Sequence, residues 1–188
     1  MRLVLACAVV LGVTACGGTR TVTVTNTVTV TRTVTVTTTT AAPPAAPATC
    51  VANHLSGAFT GVAGSAGAGS ISYRLRLQND GTAACSLNGL PDAQLVDAQG
   101  ADLPTDVQSS HRPPPASTVV LEPGEAAVAE ARFSPDVPGP GESGVPCEPK
   151  AEILRVTSGG EFVEVPVRPP TPVCEHGRLA FDNFSAAP

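Results

Sequence analysis

The chain has 188 residues, with 11 Lys or Arg against 16 Asp or Glu, a formal charge of −5. Aromatic residues make up 3%, there is no Trp, and charged residues reach only 14% where an average domain carries about 25%. With 18 Gly and 19 Pro, this composition argues against a long helical protein. It also argues against a nucleic-acid binder, which needs a basic stripe to displace counterions from phosphate: from Val51 onward only 8 basic residues stand against all 16 acidic ones.

In chain order, residues 1–15 read as an export signal. Met1-Arg2 supplies a short positive start, and Leu3 to Thr14 form a mostly apolar stretch too short to span about 30 Å of hydrocarbon, which takes about 20 residues. Val13-Thr14-Ala15-Cys16 resembles the lipobox of bacterial lipoproteins, in which the Cys is acylated on sulfur and becomes the new N-terminus. Cys16 is the expected lipidation site and the membrane the expected partner through that lipid. Two or more acyl chains make such an anchor durable, whereas one holds only marginally.

Residues 16–49 read as the lipidated Cys followed by a disordered stalk. Thr21 to Thr38 repeats Thr-Val-Thr-Val-Thr-X three times, and Ala and Pro follow to Ala48. Alternating Val and Thr favours extended backbone, but with six Val and no aromatic from Gly17 to Thr49 little apolar area offsets the entropy of folding. Fully stretched, the 33 residues from Gly17 to Thr49 reach about 110 Å, enough to hold a domain clear of a membrane. The Thr and Pro density also resembles glycosylated stalks.

Residues 50–188 read as one domain of short alternating segments. The clearest strand is Ile71 to Gln78, apolar on one face and polar on the other, closed by Asn79-Asp80-Gly81. Leu55 to Thr60, Ala93 to Asp97, Thr118 to Leu121, Ala126 to Phe133, Glu152 to Thr157, Glu161 to Val167 and Arg178 to Phe184 complete about eight. Ala126 to Arg132 has helical propensity, but Pro123-Gly124 before it and Pro135 after it favour a strand. The expected fold is an all-β, antiparallel β-sandwich with Greek-key connections.

Once Cys7 leaves with the signal and Cys16 takes lipid, Cys50, Cys85, Cys147 and Cys174 remain. Four Cys allow three pairings. Cys50 with Cys85 and Cys147 with Cys174 is the expected one, because each bridge then ties a domain terminus to a neighbouring strand or loop.

The chemistry-bearing residues are sparse. Cys174-Glu175-His176 is the one Cys/His neighbourhood; disulfide formation claims its Cys, so no metal and no cofactor is expected. His54, His111 and His176 are the available bases, and no Gly-x-Ser-x-Gly elbow accompanies them. Glu122 with Glu125 and Glu161 with Glu164 read as surface charge, and Gly61 to Gly69 reads as a strand connection, lacking the Lys of a phosphate loop. No catalytic residue is assigned.

Cys50-Val-Ala-Asn-His-Leu55, the Gly/Ala run, the strand ending at Asn79, Cys85-Ser-Leu-Asn-Gly-Leu-Pro91, Leu121-Glu-Pro-Gly124, Cys147 and Cys174 together resemble the domain of unknown function 4232 of secreted lipoproteins from high-GC Gram-positive bacteria. Leu90 stands where that family usually has an aromatic residue. The resemblance implies export, frequent lipidation, two disulfides and an immunoglobulin-like sandwich, and it brings no established activity.

The expectation is therefore a non-catalytic binding or interaction module, lipid-anchored at the outer face of the cytoplasmic membrane or in the envelope, with an envelope protein or glycan as partner. A hydrolase of envelope polymers and a purely structural spacer are the alternatives. Loops at the ends of sandwiches commonly carry recognition, which makes Gly89, Leu90 and Pro91, together with His111 to Pro115, the candidate binding loops.

Overall fold

The computed structural model describes residues 46–111, 117–143 and 147–188. The expected signal, the lipidation site Cys16, nearly all of the stalk, and residues 112–115 of the second candidate loop lie outside the described residues. The folded unit begins at Ala46, four residues ahead of the expected boundary. Thr49 bridges to Ser86, and the Ser86 N–H donates to the Ala48 carbonyl at 2.8 Å.

Alternation dictates the strands at the centre of the fold. In β2 (Ile71–Asn79), Tyr73, Leu75 and Leu77 are buried while Arg74 and Arg76 are exposed. Strand β1 (Leu55–Gly61) pairs antiparallel along one edge of β2, from Leu55 opposite Asn79 to Gly61 opposite Tyr73. Along the other edge, β7 (Ala126–Phe133) pairs antiparallel from Ile71 opposite Phe133 to Gln78 opposite Ala126. The Ala-rich segment is thus a central strand. Its inward residues Ala127, Ala129 and Ala131 are buried and leave room for large neighbours on adjacent strands.

All eight expected segments are strands. The others are β4 (Ala93–Val96), β6 (Thr118–Leu121), β8 (Ala151–Ser158), β9 (Glu161–Thr171) and β10 (Arg178–Phe181). Three short strands escape the sequence pattern: β3 (Cys85–Asn88), β5 (Asp106–Ser109) and β11 (Ser185–Ala186). Each has four residues or fewer. The expected segment Arg178 to Phe184 ends as a strand at Phe181, and β11 follows after a break.

The main sheet runs β4-β8-β9-β1-β2-β7-β10-β5, with β11 added on β7, and β3 pairs with β6 in a second small sheet. The fold is all-β and sandwich- or barrel-like. Most neighbours are antiparallel, as expected, but β1 runs parallel to β9 and β10 parallel to β5, so the sheet is mixed. Strand β9 joins its two halves: Glu161 to Pro166 pair with β8, and Val167 and Arg168 pair with Phe59 and Thr60 of β1.

One core unites the strands, and it concentrates the few aromatic residues. Phe59 lies 5.2, 6.4 and 5.9 Å from the rings of Tyr73, Phe133 and Phe181, spacings at which tilted rings attract. The Tyr73 hydroxyl donates to the Pro169 carbonyl at 2.8 Å, and burial pushes its pKa up. Disulfides join Cys50 to Cys85 and Cys147 to Cys174, the expected pairing. Asn79, 1% exposed, donates to the carbonyls of Ala83 and Leu121 and accepts the Gly81 N–H, which satisfies a buried amide fully.

Candidate functional site

The first candidate loop is pinned down. Gly89 has a left-handed φ of +63°, its N–H donates to the Ser117 carbonyl, and its carbonyl accepts the Phe184 N–H. Pro91 is buried and Leu90 packs against the core, bordering a recess of about 190 Å³ with Asn88 and Phe184.

At the second candidate loop, His111 is exposed beyond the end of β5. The Ser110 hydroxyl lies 2.8 Å from its Nδ1 and also donates to Asp182, whose carboxylate is 3.5 Å from the same Nδ1. A Ser, a His and an Asp therefore meet. Because Ser and Asp crowd onto one ring nitrogen, the imidazole does not stand between them as a proton relay requires.

The acidic pairs do other work. The Glu125 carboxylate accepts the Glu122 N–H across a turn. Glu161 and Glu164 stand three apart on β9, and residues three apart on a strand leave opposite faces; Glu164 is paired with Arg155. Residues Gly61 to Gly69 form the β1–β2 connection, closed by the Ser65 hydroxyl accepting the Ser72 N–H at 3.0 Å. His54 sits in a short 3-10 turn before β1.

Glu142, Glu148 and His176 offer ligand atoms within 4.8 Å of one another. The Glu142 carboxylate serves the backbone. Glu175 and His176 hold left-handed φ values of +56° and +58°, which non-glycine residues adopt at a cost. Successive N–H groups in such a turn form an anion-binding nest. The nest here is filled by the Glu142 carboxylate, which accepts the N–H groups of His176, Glu175 at 2.8 Å and Gly139 at 2.6 Å. The Glu142 side chain is 4% exposed. The His176 N–H chiefly, with Gly139, Glu175 and the nearby imidazole, holds its pKa below the usual carboxylate range against the opposing effect of burial. The carboxylate is an internal anion that shapes the turn beside the Cys147–Cys174 bridge.

The feature missed by the sequence reading is the outward face of β9-β1-β2-β7-β10. Arg168, Arg74, Arg76, Arg132 and Arg178, all exposed, stand on it. Register fixes their places: Arg168 and Arg74 flank Thr60 in one row, Arg132 lies opposite Ser72, and Ala180, two residues from Arg178, lies opposite Arg132. Arg74 and Arg76 border an open groove of about 560 Å³ floored by Ser56, Ala58 and Thr60 of β1. Arg132 and Arg178 border a second concavity of about 300 Å³. Small residues on β1 leave the groove, and Gly57 keeps the strands together: a Cβ there would sit 2.0 Å from the Arg76 carbonyl oxygen.

Carboxylates share this face: Glu164 stands on β9 at the same parity as Arg168, Glu130 lies opposite Arg74 and Asp106 lies opposite Arg178. Arg74 pairs with Glu130 at 3.4 Å and Arg178 with Glu175 at 3.3 Å, both exposed contacts of the weak kind. Among the described residues, Arg76, Arg132 and Arg168 have no carboxylate within ion-pair distance. By contrast, Arg155 on β8 is held by Asp102 at 2.8 Å and Glu164 at 3.0 Å and lies 5.2 Å from the Phe162 ring centre.

An all-β sandwich-like domain closed by two disulfides, with one arginine-bearing grooved face, is the class of protein these observations define. The chain belongs to the family described as Domain of unknown function (DUF4232), which matches residues 50–185. Neither a curated protein nor a solved structure matches it.

Proposed function

We propose that the protein is a non-catalytic binding module held at the cell envelope by lipid on Cys16, its Thr-rich stalk extending the domain toward a partner fixed in the envelope. The observation that carries this reading is the outward sheet face, where five exposed arginines and two concavities share one surface. Side chains on a rigid sheet are preorganised for contact, which lowers the entropy cost of binding. The Ser110, His111 and Asp182 cluster lies outside these concavities and lacks relay geometry, which favours recognition over hydrolysis.

Covalent crosslinking in intact cells tests it, with Cys16→Ala as the release control and mass spectrometry of the captured material. One reproducible protein or polymer captured by the anchored form supports the reading. Capture of nothing reproducible favours the spacer, in which the stalk is the working part and the domain only its cap.

A further inference from the structure

We infer that Glu142, Glu148 and the Nδ1 atom of His176 form a binding site for one divalent ion of the zinc class, its fourth coordination position facing solvent. The inference concerns the turn beside the Cys147–Cys174 bridge and is independent of the outward sheet face. Disulfide formation claims Cys174 and leaves His176 to the two carboxylates.

The first support is the donor set. One carboxylate oxygen from each Glu and one ring nitrogen of His176 lie within 4.8 Å of one another. His176 Nδ1 stands 3.6 Å from Glu142 Oε1, too far for a hydrogen bond. Two ligands each about 2.0–2.1 Å from a tetrahedral ion stand about 3.4 Å apart, so this pair already has the separation that such an ion requires. A neutral imidazole with two carboxylates also balances a divalent charge.

The second support lies outside the three donors. His176 Nε2 is 3.2 Å from the Pro140 carbonyl oxygen, and a carbonyl only accepts. That contact puts the ring proton on Nε2 and leaves the Nδ1 lone pair beside the Glu142 carboxylate. Lone pair and carboxylate repel unless a positive charge, a second ring proton or a metal ion, lies between them. Histidines that ligate metals are commonly oriented in this way, with the other ring N–H given to a backbone carbonyl.

The carboxylates supply the third support. Glu142 is 4% exposed at its side chain, and the N–H groups of Gly139, Glu175 and His176 fix its two oxygens. Three donors leave one of the roughly four lone-pair sites of a carboxylate open, and hydrogen-bonded carboxylates are the ones that ligate metals well. Glu148 is half-buried, and among the described residues its carboxylate has no hydrogen-bond or ion-pair partner. Two carboxylates this close repel, and the Arg178 guanidinium is turned to Glu175 instead. A divalent ion removes that repulsion and ties Glu142 and Glu148 to the turn at His176.

The test titrates full-length protein in non-ionic detergent with zinc, calcium and magnesium chloride by calorimetry. The protein carries no polyhistidine tag, its disulfides are intact and its free thiols are alkylated. The expected result is one equivalent of zinc bound at least about tenfold tighter than calcium or magnesium, with nitrogen and oxygen but no sulfur around it in X-ray absorption. Glu148→Gln, which removes a carboxylate that pairs with nothing in the fold, and His176→Gln should each weaken zinc at least about tenfold, the metal-free urea midpoint of Glu148→Gln staying that of the parent. His111→Gln, at the other exposed imidazole beside a carboxylate, should change the affinity less than about twofold. Absence of a one-equivalent zinc site, equal affinity for calcium, sulfur ligation, or unchanged affinity in Glu148→Gln overturns the inference and makes His176 and Glu142 an ion pair only.

Discussion

On β2, Tyr73, Leu75 and Leu77 turn inward and are at most 3% exposed, while Arg74 and Arg76 turn outward between them. On β7 the same alternation sets Ala127, Ala129 and Ala131 against Val128, Glu130 and Arg132. The inward face places aromatic rings around Phe59. The outward face leaves small side chains on β1 and arginines on its neighbours, so that surface relief comes from what is missing. One backbone thus separates two tasks: substitutions inward should change stability, and substitutions outward should change recognition.

The separation can be broken most forcefully from within. Phe59→Ala should lower the unfolding free energy by about 4 kcal/mol, as removal of a buried ring does, seen as a lower urea midpoint at unchanged slope. Replacing Cys50 and Cys85 together by Ala opens a loop of 35 residues and should cost about 3–4 kcal/mol, measured the same way. If either change left stability intact, the inward face would not be carrying it.

A pH series sharpens the comparison at the Glu142 turn. The folded state lowers the Glu142 pKa, so its contribution is complete above the unfolded value of about 4.3 and is lost as pH falls through the lower folded value. Glu142→Gln should therefore be less stable than the parent near neutral pH, and the gap should close below about pH 4. A gap independent of pH would show that the amide loses packing rather than charge. The smallest stability effect belongs outside: Arg132→Gln with Arg168→Gln should stay within about 0.5 kcal/mol of the parent in the same urea titrations.

Much of this architecture is legible in the sequence because alternation and turn residues speak locally. Ile71 to Gln78 announces both of its faces, and Pro123 and Pro135 identify the Ala-rich segment as a strand. The cysteine pairing follows from keeping each bridge near a terminus. What escapes depends on neighbours far along the chain. Strand β5 is short, with polar residues at three of its four positions, and exists because β10 runs beside it. The parallel contact of β1 with β9 joins residues more than 100 positions apart. The arginine face is hidden for a different reason: a summed charge treats all 16 acidic residues as neighbours of every arginine. The outward placement of Arg74 and Arg76 is visible in their alternation with Leu75 and Leu77; only register brings Arg132, Arg168 and Arg178 beside them. The loop from Gly89 to Pro91 is pinned against the core.

Co-sedimentation of the full-length protein in detergent with isolated cell envelopes, comparing the parent with Arg74→Gln plus Arg76→Gln and with Arg155→Gln, tests the outward face directly. The account predicts saturable sedimentation of the parent and of Arg155→Gln, and at least about a tenfold loss of affinity for the double variant, whose unfolding curve stays that of the parent. Equal sedimentation of all three proteins would contradict it and move recognition to another surface.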